Sequence, residues 1–358
     1  MARNVTVDIL RMLFAFVIVF HHVLMGTQFH IYGYLAVDFF FIVSGYMVIN
    51  SYRRYRNEGN EIGVIRYCAH KLMSFLPYLI FAVVVYAIVS GSIAYDNTGR
   101  FDHFLASAWF EMEDVFLVSM LGFYRDELIW YLSSLMICSA IIWFLLRRFD
   151  SNFSRYAAPI ITVLLLIIIF AESNTISTPN HFVYGVVKKG LLRGLACMCL
   201  GVFAYECVGF SERIQFSKDR LVLGIIEIVC YLTVLVCILF LHPTDDVGRR
   251  VYDIMMIVLL FVALVITFSN RSIVYDFVQK YEWLGKRSVE LAVGSLLLYL
   301  NHAYIIAAWN QWGPDNIILE AFVVVILAII MSFLCYHAGK WIRKGIEYAV
   351  KEAVPSQS

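Results

Sequence analysis

DILRMLFAFVIVFHH, residues 8–22, opens an apolar run that continues to about Gly26. At about 1.5 Å of rise per residue the run is long enough to cross a bilayer, yet it carries an aspartate, an arginine and two histidines. Charge at that depth needs a reason, because facing it to lipid costs several kcal/mol. The eleven-residue step from Arg11 to His22 turns about 1100°, about 20° past three full turns. Both side chains therefore share one helix face, about 16 Å apart along the axis. His21 lies about 80° off that line. Asp8, three residues before Arg11, falls on the same face and is its natural charge partner. A polar stripe of this kind belongs against the interior of a helix bundle or a water-filled cavity.

Working outward, the composition agrees. Hydrophobic residues make up 61% of the 358, charged ones 15%, and the mean hydropathy is +0.76, which places the chain among integral membrane proteins. A net charge of +1 with no long basic block argues against nucleic-acid partners. The eight cysteines lie mostly inside apolar runs without CxxC spacing and read as small membrane hydrophobes, so no metal site is expected. No small-residue cleavage site follows the first span, which is expected to be retained.

Spanning-length segments fall at about 7–26, 34–50, 72–92, 128–147, 157–171, 188–208, 220–241, 251–269, 287–308 and 317–337. The expectation is an all-α integral membrane bundle of about ten transmembrane helices, with a membrane domain over 1–345 and a short tail over 346–358. The stretch 101–124 is apolar but carries Asp102, Glu111, Glu113 and Asp114, and is expected as a re-entrant or interfacial helix outside the membrane core. With the N-terminus inside, 21 of the 28 Lys and Arg collect at inner ends and loops; Arg100, Arg125, Lys188, Lys189, Arg193, Arg249 and Arg250 do not. That bias puts both termini in the cytoplasm.

Several further stretches admit two readings each. In AVDFFFIVSGYM, Asp38 sits at the outer end of the second span and Ser44-Gly45 near its middle; these suit a substrate site, or a helix cap and close helix packing. Arg66, His70 and Lys71 gather before Pro77-Tyr78 at the inner mouth of the third span. They suit a phosphorylated ligand, or are ordinary positive-inside excess. Asp126 and Glu127 precede WYLSSLMI, whose Trp130 is a site residue or part of an aromatic belt. Arg193 in RGLACMCLG is a substrate contact or a snorkelling arginine, with Gly194 and Gly201 available for tight packing. His302 in LLLYLNHAYII could join His22 in a polar pocket on the outer side, or be inert.

Asp8 with Arg11-x10-His22, VDFFFIVSGYM, the basic stretch ending in Pro77-Tyr78, the WYLS block, RGL with a later Gly201, and LGK followed by YLNH occur in that order through about residues 5–340. In this the chain resembles the acyltransferase 3 family of bacterial membrane O-acyltransferases. The resemblance implies a multi-pass protein of the bacterial inner (cytoplasmic) membrane. It would transfer an acyl group, usually acetyl from acetyl-CoA, to a hydroxyl of an extracytoplasmic glycan or lipid-linked sugar. It also implies activity roles for Arg11 and His22, and a donor contact at Arg66, His70 and Lys71. Where the family often carries two arginines three residues apart before the proline, this chain has Lys71 and Ser74, which leaves the donor contact open.

Acyl transfer needs a group that takes the hydroxyl proton, and a histidine, with an ordinary pKa of about 6.5, suits that task. His22 is the candidate base. Arg11, held by Asp8, would stabilise charge on the donor. Asp38, Ser44, Trp130, Arg193 and His302 stand as acceptor-site candidates. The expectation is a through-membrane channel, with donor entering past Arg66 and Lys71 and acceptor meeting the acyl group near His22. Membrane lipids and polysaccharide-assembly proteins are the expected partners. Two other functions fit a ten-helix protein with internal charges: an exporter of a lipid-linked sugar or anionic metabolite, and a non-catalytic subunit of a polysaccharide assembly complex. Against export stands the lack of any internal repeat.

Overall fold

The computed structural model describes residues 4–121, 129–214 and 219–353. Arg3, Arg125, Asp126, Glu127, Lys218 and the end of the tail from 354 lie outside the described residues. The chain forms α1 (Val5–Leu24), α2 (Ala36–Asn57), α3 (Val64–Thr98), α4 (Phe101–Met112), α5 (Trp130–Asn152), α6 (Ala158–Glu172), α7 (Lys189–Ile214), α8 (Arg220–Phe240), α9 (Asp246–Ser269), α10 (Ile273–Gln279), α11 (Glu282–Trp312) and α12 (Ile317–Ala353). One small hairpin, β1 (Phe182–Val183) with β2 (Val187–Lys188), precedes α7. Its turn uses positive φ at Tyr184 and at Gly185, where the missing Cβ removes the penalty.

Among the described residues, nine helices are long and apolar enough to cross a membrane. The expected number was about ten, and the difference lies in residues 130–172, which form one continuous stretch of 43 residues. Straight, that length would reach about 64 Å, twice a hydrocarbon core of about 30 Å. It is not straight: Asp150 leaves the helical region (φ 48°, ψ −124°) and Phe153–Ala157 is a π turn. Arg53 of α2 holds the Asp150 carboxylate at 2.5 Å and Arg56 binds it too, so the bend between the arms α5 and α6 is pinned by an ion-pair cluster. Glu206 of α7 completes the cluster with Arg53 at 3.3 Å, Arg155 at 3.0 Å and the Ser154 hydroxyl at 2.7 Å.

The bundle is built around α2 and α7. The α2 span is 78% buried, against 17% for α12 at the periphery. Close approach explains it: a Cβ on Gly45 would strike the Met198 carbonyl, and one on Gly201 would strike the Ile42 carbonyl and Tyr46 amide. The glycines read as packing candidates thus form a reciprocal contact in which each helix accepts the other's backbone.

Two further elements complete the chain. Helix α4 folds back along α3, with the Phe104 ring over Gly91 and Ser107 bonded to Ser90 at 2.7 Å, and Glu111, Asp114 and Ser119 are buried. Phe101, Leu105, Trp109 and Phe116 stay exposed, so the described part of the 101–124 stretch lies against α3 at the margin of the bundle. Helix α12 also runs without a break through residue 345, so the expected tail begins as a continuation of the last span. The two ends of the chain share one face: Asn4 donates to the Thr267 carbonyl at 2.7 Å, and Arg343 of α12 to the Ser74 carbonyl at 2.9 Å near the start of α3.

Candidate active site

Helix α1 starts at Asn4, whose side chain accepts from the Val7 amide at 3.1 Å and anchors the helix to α9. Asp8 is buried and lies 3.8 Å from Arg11, so the expected pair forms. Arg11 lines a cavity of about 340 Å³ that opens toward the face holding the chain ends. Lys71, Ser74, Phe75 and Tyr78 line it from α3, and Ser44, Tyr131 and Tyr299 add hydroxyl-bearing side chains, Ser44 and Tyr131 bonded at 3.4 Å.

Arg66 and His70 are exposed and stand outside this cavity. The helix period gives the reason. Ser74, Phe75 and Tyr78 follow Lys71 at three, four and seven residues and share its face, whereas His70 lies about 100° and Arg66 about 140° away. The spacing alone could have separated Lys71 from the other two.

A second cavity, about 620 Å³, opens on the opposite side of the bundle and is lined by His21, His22, His30, Tyr34, Trp130 and Arg193 among others. The His22 ring packs 5.2 Å from His302, centroid to centroid, and the same distance from His21. His21 turns away to the Ile31 carbonyl, with Nδ1 at 2.6 Å. His302 is fully buried behind His22. Its Nδ1 lies 3.1 Å from the Leu298 carbonyl, which can only accept, so the proton is on Nδ1 and Nε2 is left as a buried acceptor with no partner.

Ile18 and Val37 line both cavities. Ile18 lies seven residues beyond Arg11 and four before His22, so it occupies the same stripe. The two cavities thus share a lining at Ile18 and Val37, where the expected channel would run from one to the other.

The acceptor-site candidates divide between these places. Ser44 belongs to the Arg11 cavity and Trp130 to the His22 cavity. Arg193 and Asp38 form a buried fork, Nε to Oδ1 at 2.7 Å and Nη2 to Oδ2 at 2.9 Å. Arg193 also donates to the Tyr34 carbonyl at 2.7 Å and the Ile176 carbonyl at 3.3 Å, and lies over the Tyr34 and Trp130 rings. It does not snorkel, and Asp38 spends both oxygens on the guanidinium rather than on a helix cap.

Three residues of this network escaped the sequence reading. Asp253 accepts from the Tyr34 hydroxyl at 2.7 Å, the Thr175 hydroxyl at 2.8 Å and the Ile176 amide at 2.9 Å. Lys189 donates to the Ser177 carbonyl at 2.9 Å and Lys188 to the Ser119 carbonyl at 2.6 Å. Together they strap the 173–188 connection over the second cavity. A signal existed: Lys188, Lys189 and Arg193 are exceptions to the charge bias, and cations found on the disfavoured side need specific partners.

The bundle thus holds one cavity lined by Arg11 and Lys71 and another lined by His21, His22 and His30, with α1 contributing to both. The chain matches the family model described as an acyltransferase domain over residues 4–337 and belongs to that family. Relatives from Staphylococcus aureus strains COL, MSSA476 and MRSA252, each named "Putative O-acetyltransferase", are 23% identical over 352 residues, covering 90% of this chain and 54% of theirs. The chain thus spans about half the length of the curated relatives it matches. No solved structure matches it.

Proposed function

We propose that this chain transfers an acyl group, acetyl first among the candidates, from a cytoplasmic acyl-CoA to a hydroxyl of a glycan or lipid-linked sugar on the other side of a bacterial cytoplasmic membrane. In this reading the protein crosses ten times, α5 and α6 counting separately, with both ends inside. The observation that carries it is the single helix α1 presenting Arg11 to one cavity and His22 to the other.

Arg11 and Lys71 supply positive charge at the mouth through which an anionic donor would enter, and the apolar walls beyond suit its uncharged arm. In the second cavity the acceptor hydroxyl attacks the thioester carbonyl. His22 takes the hydroxyl proton, the carbon–sulfur bond breaks, and the thiolate leaves to be protonated as CoA, with the acyl group now an ester on the acceptor. The Nε2 of His302 makes no hydrogen bond among the described residues, and accepting from the other nitrogen of the neighbouring His22 would fix that residue's tautomer and aim its basic nitrogen outward.

Purified protein in proteoliposomes, supplied with radiolabelled acetyl-CoA and cell-surface glycan fractions, tests this. His22→Ala should lower acylation at least about 100-fold, within the range general-base loss gives. His302→Leu should lose less and His21→Ala least. Wild-type rates from His22→Ala would remove the proposed base.

A further inference from the structure

Beside the Arg11 cavity lie cations that no carboxylate among the described residues pairs. On the same face of the bundle, Arg53, Arg56 and Arg155 are matched by Asp150 and Glu206. Lys71, Lys340 and Arg343 have no carboxylate within ion-pairing distance among the described residues. Yet Arg343 is not left loose. Its Nη2 donates to the Ser74 carbonyl at 2.9 Å and its guanidinium carbon lies 6.0 Å from the centre of the Tyr78 ring. Ser74 and Tyr78 both line the cavity.

The approach of α12 is what delivers these groups. Gly339 abuts the Tyr78 ring so closely that a Cβ there would meet ring carbons, and Arg343 follows one turn later on the same face. Lys340 rests 4.0 Å above the Tyr336 ring, which itself stacks on Tyr78 at 6.5 Å. A guanidinium held by one backbone carbonyl keeps several N–H donors for a ligand, in the planar fork that suits phosphate oxygens.

We infer that Arg343, with Lys340 and Lys71, forms a phosphate-binding lip at the cavity mouth. Resting on the donor reading above, the lip would hold the phosphates of the nucleotide end of the acyl thioester. The guanidinium there comes from the last helix and lies beside Ser74. A lipid headgroup phosphate has the same chemistry, and the test separates the two.

Binding of adenosine 3′,5′-bisphosphate to the full chain in neutral phosphatidylcholine liposomes is measured for wild type, Arg343→Ala, Arg343→Lys and Trp341→Ala. Arg343→Ala should weaken binding about tenfold or more, as loss of a bidentate phosphate contact does. Arg343→Lys should recover part of it, and Trp341→Ala, exposed on the same helix, should match wild type. If added phosphatidylglycerol competes the bisphosphate away from wild type but not from Arg343→Ala, the lip takes lipid phosphate. Equal binding by wild type and Arg343→Ala, with no effect of the anionic lipid, overturns the inference. Because binding is read without turnover, failure of acyl transfer is seen separately as thioester left intact by a protein that still binds the bisphosphate.

Discussion

Asp38 and Arg193 lie 155 positions apart and meet as a fully buried charged pair, Arg193 donating further to the Tyr34 and Ile176 carbonyls and Asp38 accepting from the Cys197 thiol. A pair of that kind holds position more than it binds, because removing one partner strands the other charge in a dry interior. Asp38→Asn should therefore cost on the order of 3–5 kcal/mol. It would be read as a fall in thermal midpoint in detergent together with reduced membrane yield. The double change Asp38→Leu with Arg193→Met should recover most of the stability, since no charge is then left alone. A protein with Asp38→Asn that melts like wild type yet fails to acylate would instead make the carboxylate a substrate contact.

The stripe on α1 was legible at this scale because a single helix period places Asp8, Arg11 and His22 together. The role of Arg193 was not, because its partner came from a distant span and no local pattern distinguishes a snorkelling arginine from a buried one. Lys71 falls between: its face could be computed, but which face met a cavity depended on the neighbouring helices.

Among elements, the α2–α7 crossing sets the geometry of both cavities, since α2 contributes Val37 to each and α7 carries Arg193. Gly201→Val would drive a branched side chain into the backbone of α2. The helices would have to separate, at a cost of about 1–3 kcal/mol or more for overpacking. The expected result is a lower thermal midpoint and loss of activity together. Gly209→Val on the same helix, where a Cβ meets nothing within 4 Å, should be close to neutral. Equal melting of wild type and Gly201→Val would mean that the crossing is looser than described. Glycine is common in membrane helices, and the sequence marked Gly45 and Gly201 without saying that they face each other.

For the whole molecule, the lining shared at Ile18 and Val37 decides what the two cavities can do together. Ile18 and Val37 line both, so an acyl group travelling from one to the other passes these two aliphatic side chains. Ile18→Trp should close the route and abolish transfer to an acceptor supplied on the opposite face, while bisphosphate binding at the donor mouth persists. Ile18→Ala should raise slow thioester hydrolysis as water gains access. Both are read in sealed proteoliposomes with donor outside and acceptor inside. Unimpaired transfer by Ile18→Trp would show that donor and acceptor do not meet past Ile18.

The chain's hydropathy, its charge bias and the Asp8–Arg11–His22 stripe were enough to fix a helical membrane protein with a polar face turned inward, because lipid forces backbone bonding into helices and penalises charge wherever it is not shielded. The bend at Asp150, the Asp38–Arg193 pair, the arrival of Arg343 beside Ser74 and the junction of the two cavities at Ile18 and Val37 were decided only by tertiary structure. Each depends on side chains from separate helices meeting in space, and the helix period constrains a face without naming the partner across from it.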